Sequence, residues 1–90
     1  MTGGGGMTLS FVMNERARYE LHFTWLLLRH QDEDVVLVRT KLGDTKGHTI
    51  LVPPHERTLA EGAARRVAAQ HSRTLHVGEN GRLEFARRVE

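Results

Sequence analysis

Apolar and polar residues alternate most regularly within residues 19–28, the run YELHFTWLLL. Alternation with a period of two, in a run rich in aromatic residues, is typical of a β-strand with one buried face. We therefore predict a strand here and expect the rest of the fold to be organised around it. Its apolar side would carry the odd positions, which are Tyr19, Leu21, Phe23, Trp25 and Leu27.

The same run also fits an α-helix that begins after Asn14. Asn is a common N-cap, Glu15 would lie in the first turn, and Arg29 and His30 would lie in the last, where their charges suit the helix dipole. Pattern alone does not separate a strand from a helix in a short apolar run, so the helix stays open as an alternative. One of its sides would carry an apolar stripe of Ala17, Leu21, Trp25 and Leu28.

Two more strands are predicted at residues 35–42 (VVLVRTKL) and 48–52 (HTILV). The polar run at 31–34 (QDED) and the glycine-bounded turn at 43–47 (GDTKG) would connect the three strands. Matching the apolar positions predicts an antiparallel meander with one continuous apolar face. The expected pairs across the second turn are Thr40 with Ile50 and Val38 with Val52.

A helix is predicted after Pro53 and Pro54, which end the third strand because neither has an N–H to donate. Thr58 and Glu61 have the spacing of a capping box at its start. Its buried side is mostly alanine, so we expect it to lie close to the sheet under the bulky aromatic residues. That side comprises Leu59, Ala60, Ala63, Ala64, Val67 and His71.

The end of the chain, residues 74–86, has the pattern of a second hairpin. A two-residue turn at Asn80 and Gly81 would place the apolar residues of the two strands on opposite faces. A three-residue loop over 79–81, with Gly81 left-handed in a bulge, keeps them together. This loop predicts the pairs Val77 with Leu83 and Leu75 with Phe85.

These elements predict an α+β fold in the order β-β-β-α-β-β, with an antiparallel sheet of about five strands and one helix on one face. Residues 1–6 (MTGGGG) are expected to be a disordered tail or an expression remnant, and residues 7–90 a single small domain. Residues 7–13 are interpreted as an edge strand or an extended arm.

The reverse face of the meander is also apolar in the predicted register. Its cover would be residues 7–13, the terminal hairpin, or a partner such as a second copy of the chain, because large apolar patches are rarely left exposed. We therefore interpret it as a candidate protein interface. Its residues are Leu26, Leu28, Val35, Leu37 and Leu51.

Arginine supplies most of the positive charge: the chain has eleven Arg and two Lys, and its formal net charge is +2. Arginine suits bidentate contacts with phosphate, although genomic codon bias produces the same excess. Two basic patches are predicted, one on the reverse sheet face and one on the helix, and neither has the aromatic platform of a single-strand binder. The candidate nucleic-acid contacts are Arg39, Lys41, Lys46, Arg57, Arg65 and Arg66.

No motif in the chain specifies a reaction. The sequence has no Cys, its six His lack the spacing of a metal site on a helix, and Ser10 and Ser72 lie in no nucleophile elbow. We therefore expect no catalytic residue, metal or cofactor, and the sequence identifies no small-molecule substrate. No apolar run is long enough to span a membrane and no targeting segment is recognisable, so a cytoplasmic location is expected.

Together these features predict a small non-enzymatic binding module, a homodimer, that contacts DNA or RNA through its Arg-rich surface. The alternative is a regulator or inhibitor that docks on a larger protein through the apolar sheet face. Salt dependence separates them, because nucleic-acid binding weakens steeply with salt whereas apolar docking does not.

Overall fold

The computed structural model describes residues 14–40 and 47–88, which form a four-stranded mixed sheet with two helices. The elements in chain order are α1 (Glu15–Arg29), β1 (Val35–Arg39), β2 (His48–Thr49), a 3₁₀ turn (Pro54–Glu56), α2 (Arg57–Gln70), β3 (Arg73–Val77), a second 3₁₀ turn (Glu79–Gly81) and β4 (Leu83–Arg87).

The aromatic-rich run is helical, so the predicted first strand is wrong and the helical alternative is confirmed. The side chain of Asn14 accepts a hydrogen bond from the backbone N–H of Ala17 at 2.8 Å, as an N-cap does. Glu15 in the first turn and Arg29 in the last suit the helix dipole. The alternation with a period of two is misleading, because the residues that α1 buries recur every three or four positions, as on one side of a helix. They are Tyr19, Phe23, Leu26 and Leu27.

The strand order is β2-β1-β4-β3, in which β1 pairs antiparallel with β4 and parallel with β2. The predicted five-stranded antiparallel sheet with one helix, in the order β-β-β-α-β-β, is therefore wrong. Residues 19–28 are helical and therefore do not pair with β1. The strand that pairs with β1 in their stead is β4, from the end of the chain. The expected partner of Val38, Val52, is replaced by His48, and the Ile50 N–H donates to the Arg39 carbonyl at 2.8 Å.

The terminal hairpin has the predicted register, with Leu75 opposite Phe85 and Val77 opposite Leu83. The connection is the three-residue turn Glu79–Gly81, closed by the Gly78 N–H, which donates to the Arg82 carbonyl at 2.7 Å. Gly81 has φ 78°, in the left-handed region, as the bulge requires.

The alanine-rich helix is confirmed at α2, but its predicted capping box is not formed. The 3₁₀ turn carries the chain into the helix early, so Glu56 is the N-cap, without a side-chain cap hydrogen bond, and Thr58 lies inside the helix. Most of the predicted inner side is buried, while Leu59 and His71 are half-buried. The buried residues of α2 are Ala60, Ala63, Ala64, Val67 and Ala68.

Both helices pack on the same face of the sheet around one apolar cluster. The ring centroids of Phe23 on α1 and Phe85 on β4 lie 5.7 Å apart. The Tyr19 hydroxyl donates to Oε1 of Glu56 at 2.6 Å and so ties α1 to the start of α2. The small residues of α2 allow α1 to approach closely, and large side chains on α1 fill the space between them.

Arg73 is the buried charged residue of this core, only 6% exposed. Its guanidinium donates to the backbone carbonyls of Phe85, His30 and Gln31, each at 3.2 Å. The carbonyls of His30 and Gln31 lie at the C-terminal end of α1, where the negative end of the helix dipole favours a cation. Arg73 therefore fixes the end of α1 to β3 and β4.

Replacing Arg73 with Met is expected to lower the free energy of unfolding by about 2–4 kcal/mol, because one buried and two partly buried carbonyls lose a charged donor. Urea denaturation measures the change. The matched control is Arg65→Met, which removes an exposed helix-surface pair with Glu61 and should cost less than about 1 kcal/mol. Equal stabilities for the two variants would contradict the role assigned to Arg73.

Candidate functional site

Helix α1 carries a second apolar side, which faces away from the core. Leu21, Trp25 and Leu28 are 60%, 54% and 57% exposed. Their spacing of four and three residues places them along one line over two turns of helix. We call these three residues the outer stripe.

The outer stripe is exposed because the inner side of α1 is already filled. Leu26 and Leu27 are each 2% exposed and Phe23 is fully buried, so the helix has no freedom to turn the stripe inward. A helix that is apolar on two sides is typical of one that lies between two layers. Among the described residues, only the inner layer is present.

Three basic side chains border the outer stripe along one edge: Arg18, His22 and Arg29, which we call the basic margin. The guanidinium carbon of Arg29 lies 5.2 Å from the centroid of the Trp25 ring, a cation–π contact. The rings of His22 and Trp25 are 6.5 Å apart. Arg18, Leu21, His22 and Trp25 together line a shallow depression. The site therefore combines an aromatic anchor with cations.

A histidine cluster lies beside the basic margin, where α1 ends next to β2. The rings of His30 and His48 are 4.3 Å apart, and Nδ1 of His30 lies 2.7 Å from Oε1 of Glu33. Burial lowers the pKa of His48, and the nearby His30 lowers it further. Burial also lowers the pKa of His22, with a smaller contribution from His48. The fold therefore favours neutral rings at His22 and His48.

The described part of the chain has other depressions besides this surface, and one of about 330 Å³ lies beside Arg39 and His76 and is open to solvent. A cavity of about 180 Å³ lies between the start of α2 and the terminal hairpin, lined by Thr40, Arg57, Glu61 and Gly81 among others. It is smaller than the pockets of roughly 300–1,000 Å³ that hold typical small ligands. Within residues 14–40 and 47–88, no three His, Asp or Glu residues are placed to hold a metal ion.

The candidate nucleic-acid contacts lie on separate surfaces. Arg39 belongs to the face of the sheet away from the helices, which we call the open face, because it follows the buried Val38. Arg57, Arg65 and Arg66 lie on α2, on the other side of the sheet. Lys41 and Lys46 lie outside the described residues.

The cations of α2 have partners within the chain. Arg65 pairs with Glu61 at 3.1 Å. Nε of Arg66 lies 3.8 Å from Oε2 of Glu20, a buried oxygen between the two helices. Both contacts suit a role in stability as well as a role in binding.

The predicted apolar interface is divided by the fold, because its common sheet face does not exist. Leu26 is buried in the core, whereas Leu28 belongs to the outer stripe. Val35 and Leu37 lie on the open face, opposite Ala86 and Glu84 of β4. A further member, the exposed Leu51, follows β2.

Leu37 lies close to Gly47, the residue that precedes β2. A Cβ added to Gly47 would lie 2.8 Å from the Leu37 carbonyl oxygen, and Gly47 has φ 87°. The close approach and the left-handed backbone both require glycine at this position.

Leu21 and Trp25 are the site residues that the strand interpretation placed inside. The signal for them was present in the alternative stripe, which already joined both residues to Leu28. Two apolar stripes on one short helix cannot both face a single core, so counting the stripes would have pointed to an exposed surface.

Comparisons with protein-family models, with curated proteins and with solved structures found no match. In the described part of the chain, neither helix is both long and apolar enough to cross a membrane.

Acidification is expected to destabilise the fold through protonation of His22 and His48. Because the pKa values of His22 and His48 lie below the ordinary 6.5 in the folded state, their contribution is present above that pH and is lost as the pH falls through the folded pKa values. Urea denaturation between pH 7 and pH 5 should show a falling free energy of unfolding. The decline in the free energy of unfolding should be shallower in His48→Gln. An identical slope in this variant would exclude His48 as a source of the decline.

Proposed function

We propose that the chain is a non-enzymatic protein-interaction module that docks on another protein through the outer stripe of α1. The observation that carries the proposal is the exposure of Leu21, Trp25 and Leu28 on a helix whose opposite side is fully packed. The largest contiguous apolar patch on a monomer is often a functional surface. In this proposal, the docking surface of the predicted regulator lies on α1 and not on a face of the sheet.

The composition of the outer stripe supports docking. Tryptophan and arginine are enriched among the residues that dominate binding energy, and here Arg29 lies against the ring of Trp25. Complete burial of a Leu or an aromatic side chain contributes about 1.5–3 kcal/mol, and roughly half of each of these side chains remains to be buried. The stripe alone therefore favours reversible binding, and further contacts with the partner would set the affinity.

Nucleic-acid binding has weaker support. Its candidate cations lie on both sides of the sheet, and Arg65 and Arg66 already face carboxylates. Affinity for nucleic acid grows with the number of phosphates neutralised together, which favours cations on one surface. The outer stripe, moreover, would have no function in such a complex.

A photo-cross-linking amino acid at position 28 is expected to form one discrete protein adduct in the native host, because this position lies on the proposed docking surface. The matched control carries the same amino acid at Thr74, which is exposed on the open face. Mass spectrometry identifies the partner. The purified partner should then bind the wild-type chain and lose at least tenfold affinity for Leu21→Asp, about 1.4 kcal/mol.

The docking proposal fails if position 28 gives no adduct, or if positions 28 and 74 give the same adducts. It also fails if Leu21→Asp, folded by circular dichroism, binds the purified partner as well as the wild-type chain does. An adduct with nucleic acid would favour the earlier interpretation instead.

A further inference from the structure

The outer stripe is electrostatically asymmetric. At 3.6 residues per turn, Arg18, Arg29 and His22 lie about 20–60° to one side of Trp25. The other edge of the stripe carries the uncharged Ala17 and Thr24.

The nearest carboxylate on α1 reduces this asymmetry but does not remove it. Glu15 bonds Arg18 and offsets part of its charge at the start of the helix. Arg29 lies about three turns beyond Arg18, over the face of Trp25. At the end of α1, Glu33 is bonded to His30. The basic margin is therefore strongest beside Trp25 and Leu28.

The asymmetry gives a second copy of the chain no charge complementarity at this surface. In an antiparallel two-fold pair of α1 helices, the same edge of each helix lies on the same side of the contact, so the basic margin would meet itself. A parallel two-fold pair would set the margin against Ala17 and Thr24, which offer no carboxylate. Like charges brought together disfavour the first pairing, and the second gains no ion pair.

The shape of the surface indicates what fits it. Leu21 and Leu28 are about 10 Å apart along a straight helix, with Trp25 between them. A convex row of this length packs well against the side chains of another helix, whose ridges fit between its own. Carboxylates along one edge of that helix would complement the basic margin.

Taking the proposed docking function as its basis, we infer that the partner is an acidic amphipathic helix of another protein. Its apolar residues recur every three or four positions and lie on the outer stripe. Its Glu or Asp side chains line the edge that carries His22 and meet the guanidinium groups of Arg18 and Arg29 there. Because the carboxylates meet cations at a solvent-exposed rim, they act mainly on specificity and on the rate of association.

Two synthetic helical peptides test the charge of the partner. Both have the same length and the same row of Leu, and both lack Trp and Tyr; one carries Glu along one edge and the other carries Lys there. Trp25 is the single Trp of the chain, so its fluorescence reports binding at the site. We expect the Glu peptide to shift the emission to the blue and to bind about tenfold more tightly than the Lys peptide. Added salt should narrow this preference.

Charge variants of the full chain test whether the basic margin causes the preference for the Glu peptide. Arg29→Glu is expected to abolish or reverse the preference for the Glu peptide. Arg65→Glu changes the charge equally on the exposed surface of α2 and should leave the preference intact. Loss of the preference in both variants would mean that overall charge is responsible, and it would overturn the inference.

Other outcomes separate this inference from the docking function. Equal affinity for both peptides, lost in Leu21→Asp, overturns the acidic partner while the docking function stands. Binding of neither peptide overturns the helical partner, and the cross-linking result then decides the docking function by itself.

Two remaining occupants have their own tests. Concentration-dependent dimerisation abolished by Leu21→Asp would assign the stripe to a second copy. A larger blue shift with vesicles of phosphatidylcholine and phosphatidylserine than with the Glu peptide would assign it to a lipid surface. Either result would overturn the inference.

Discussion

The packing of large side chains on α1 against small ones on α2 is the constraint on which the rest of the structure depends. Phe23 and its buried neighbours fill the space that Ala60, Ala63 and Ala64 leave open over the sheet. Turning α1 about its axis would replace Phe23 with the wider indole of Trp25 and leave voids elsewhere, which a close-packed core does not tolerate. The inner side of α1 is thereby fixed, and the outer stripe must face outward.

Polar contacts at both ends of α1 maintain this orientation. Near its start, the Tyr19 hydroxyl donates to Glu56, and at its end Arg73 donates to the carbonyls of His30 and Gln31. Arg87 also donates to the carbonyl of Gln31. A surface held at both ends of its helix loses little conformational entropy on binding, so the fold presents the outer stripe in a preorganised form.

Local features of the fold were predictable from the sequence, whereas non-local ones were not. The terminal hairpin was predicted in the correct register because its turn and its apolar alternation agree within 13 residues. The inner side of α2 was predicted because its alanine pattern has one clear period. The run at 19–28 fits two periods at once, and the choice between them depends on packing against residues 60–68, far along the chain. The parallel pairing of β1 with the two-residue β2 had no signal of its own.

The candidate site was predictable only in part, for the same reason. The sequence placed Leu28 on an exposed apolar surface, but it put Leu21 and Trp25 inside, because their exposure follows from the rotation of α1. The role of Arg73 could not be found either, since its three acceptors come from β4 and from the end of α1. The sequence pattern shows which residues are apolar. Only tertiary packing determines which apolar side of α1 stays exposed.

The central claim is that residues 15–29 form a helix with one buried apolar side and one exposed. The most direct measurement is the paramagnetic broadening of leucine methyl NMR signals by a soluble nitroxide in the free chain. With this helix in place, we expect strong broadening for Leu21 and Leu28 and protection for Leu26 and Leu27. Similar behaviour of Leu21 with Leu27 and of Leu26 with Leu28 would indicate a strand and would contradict the account, as would protection of all four.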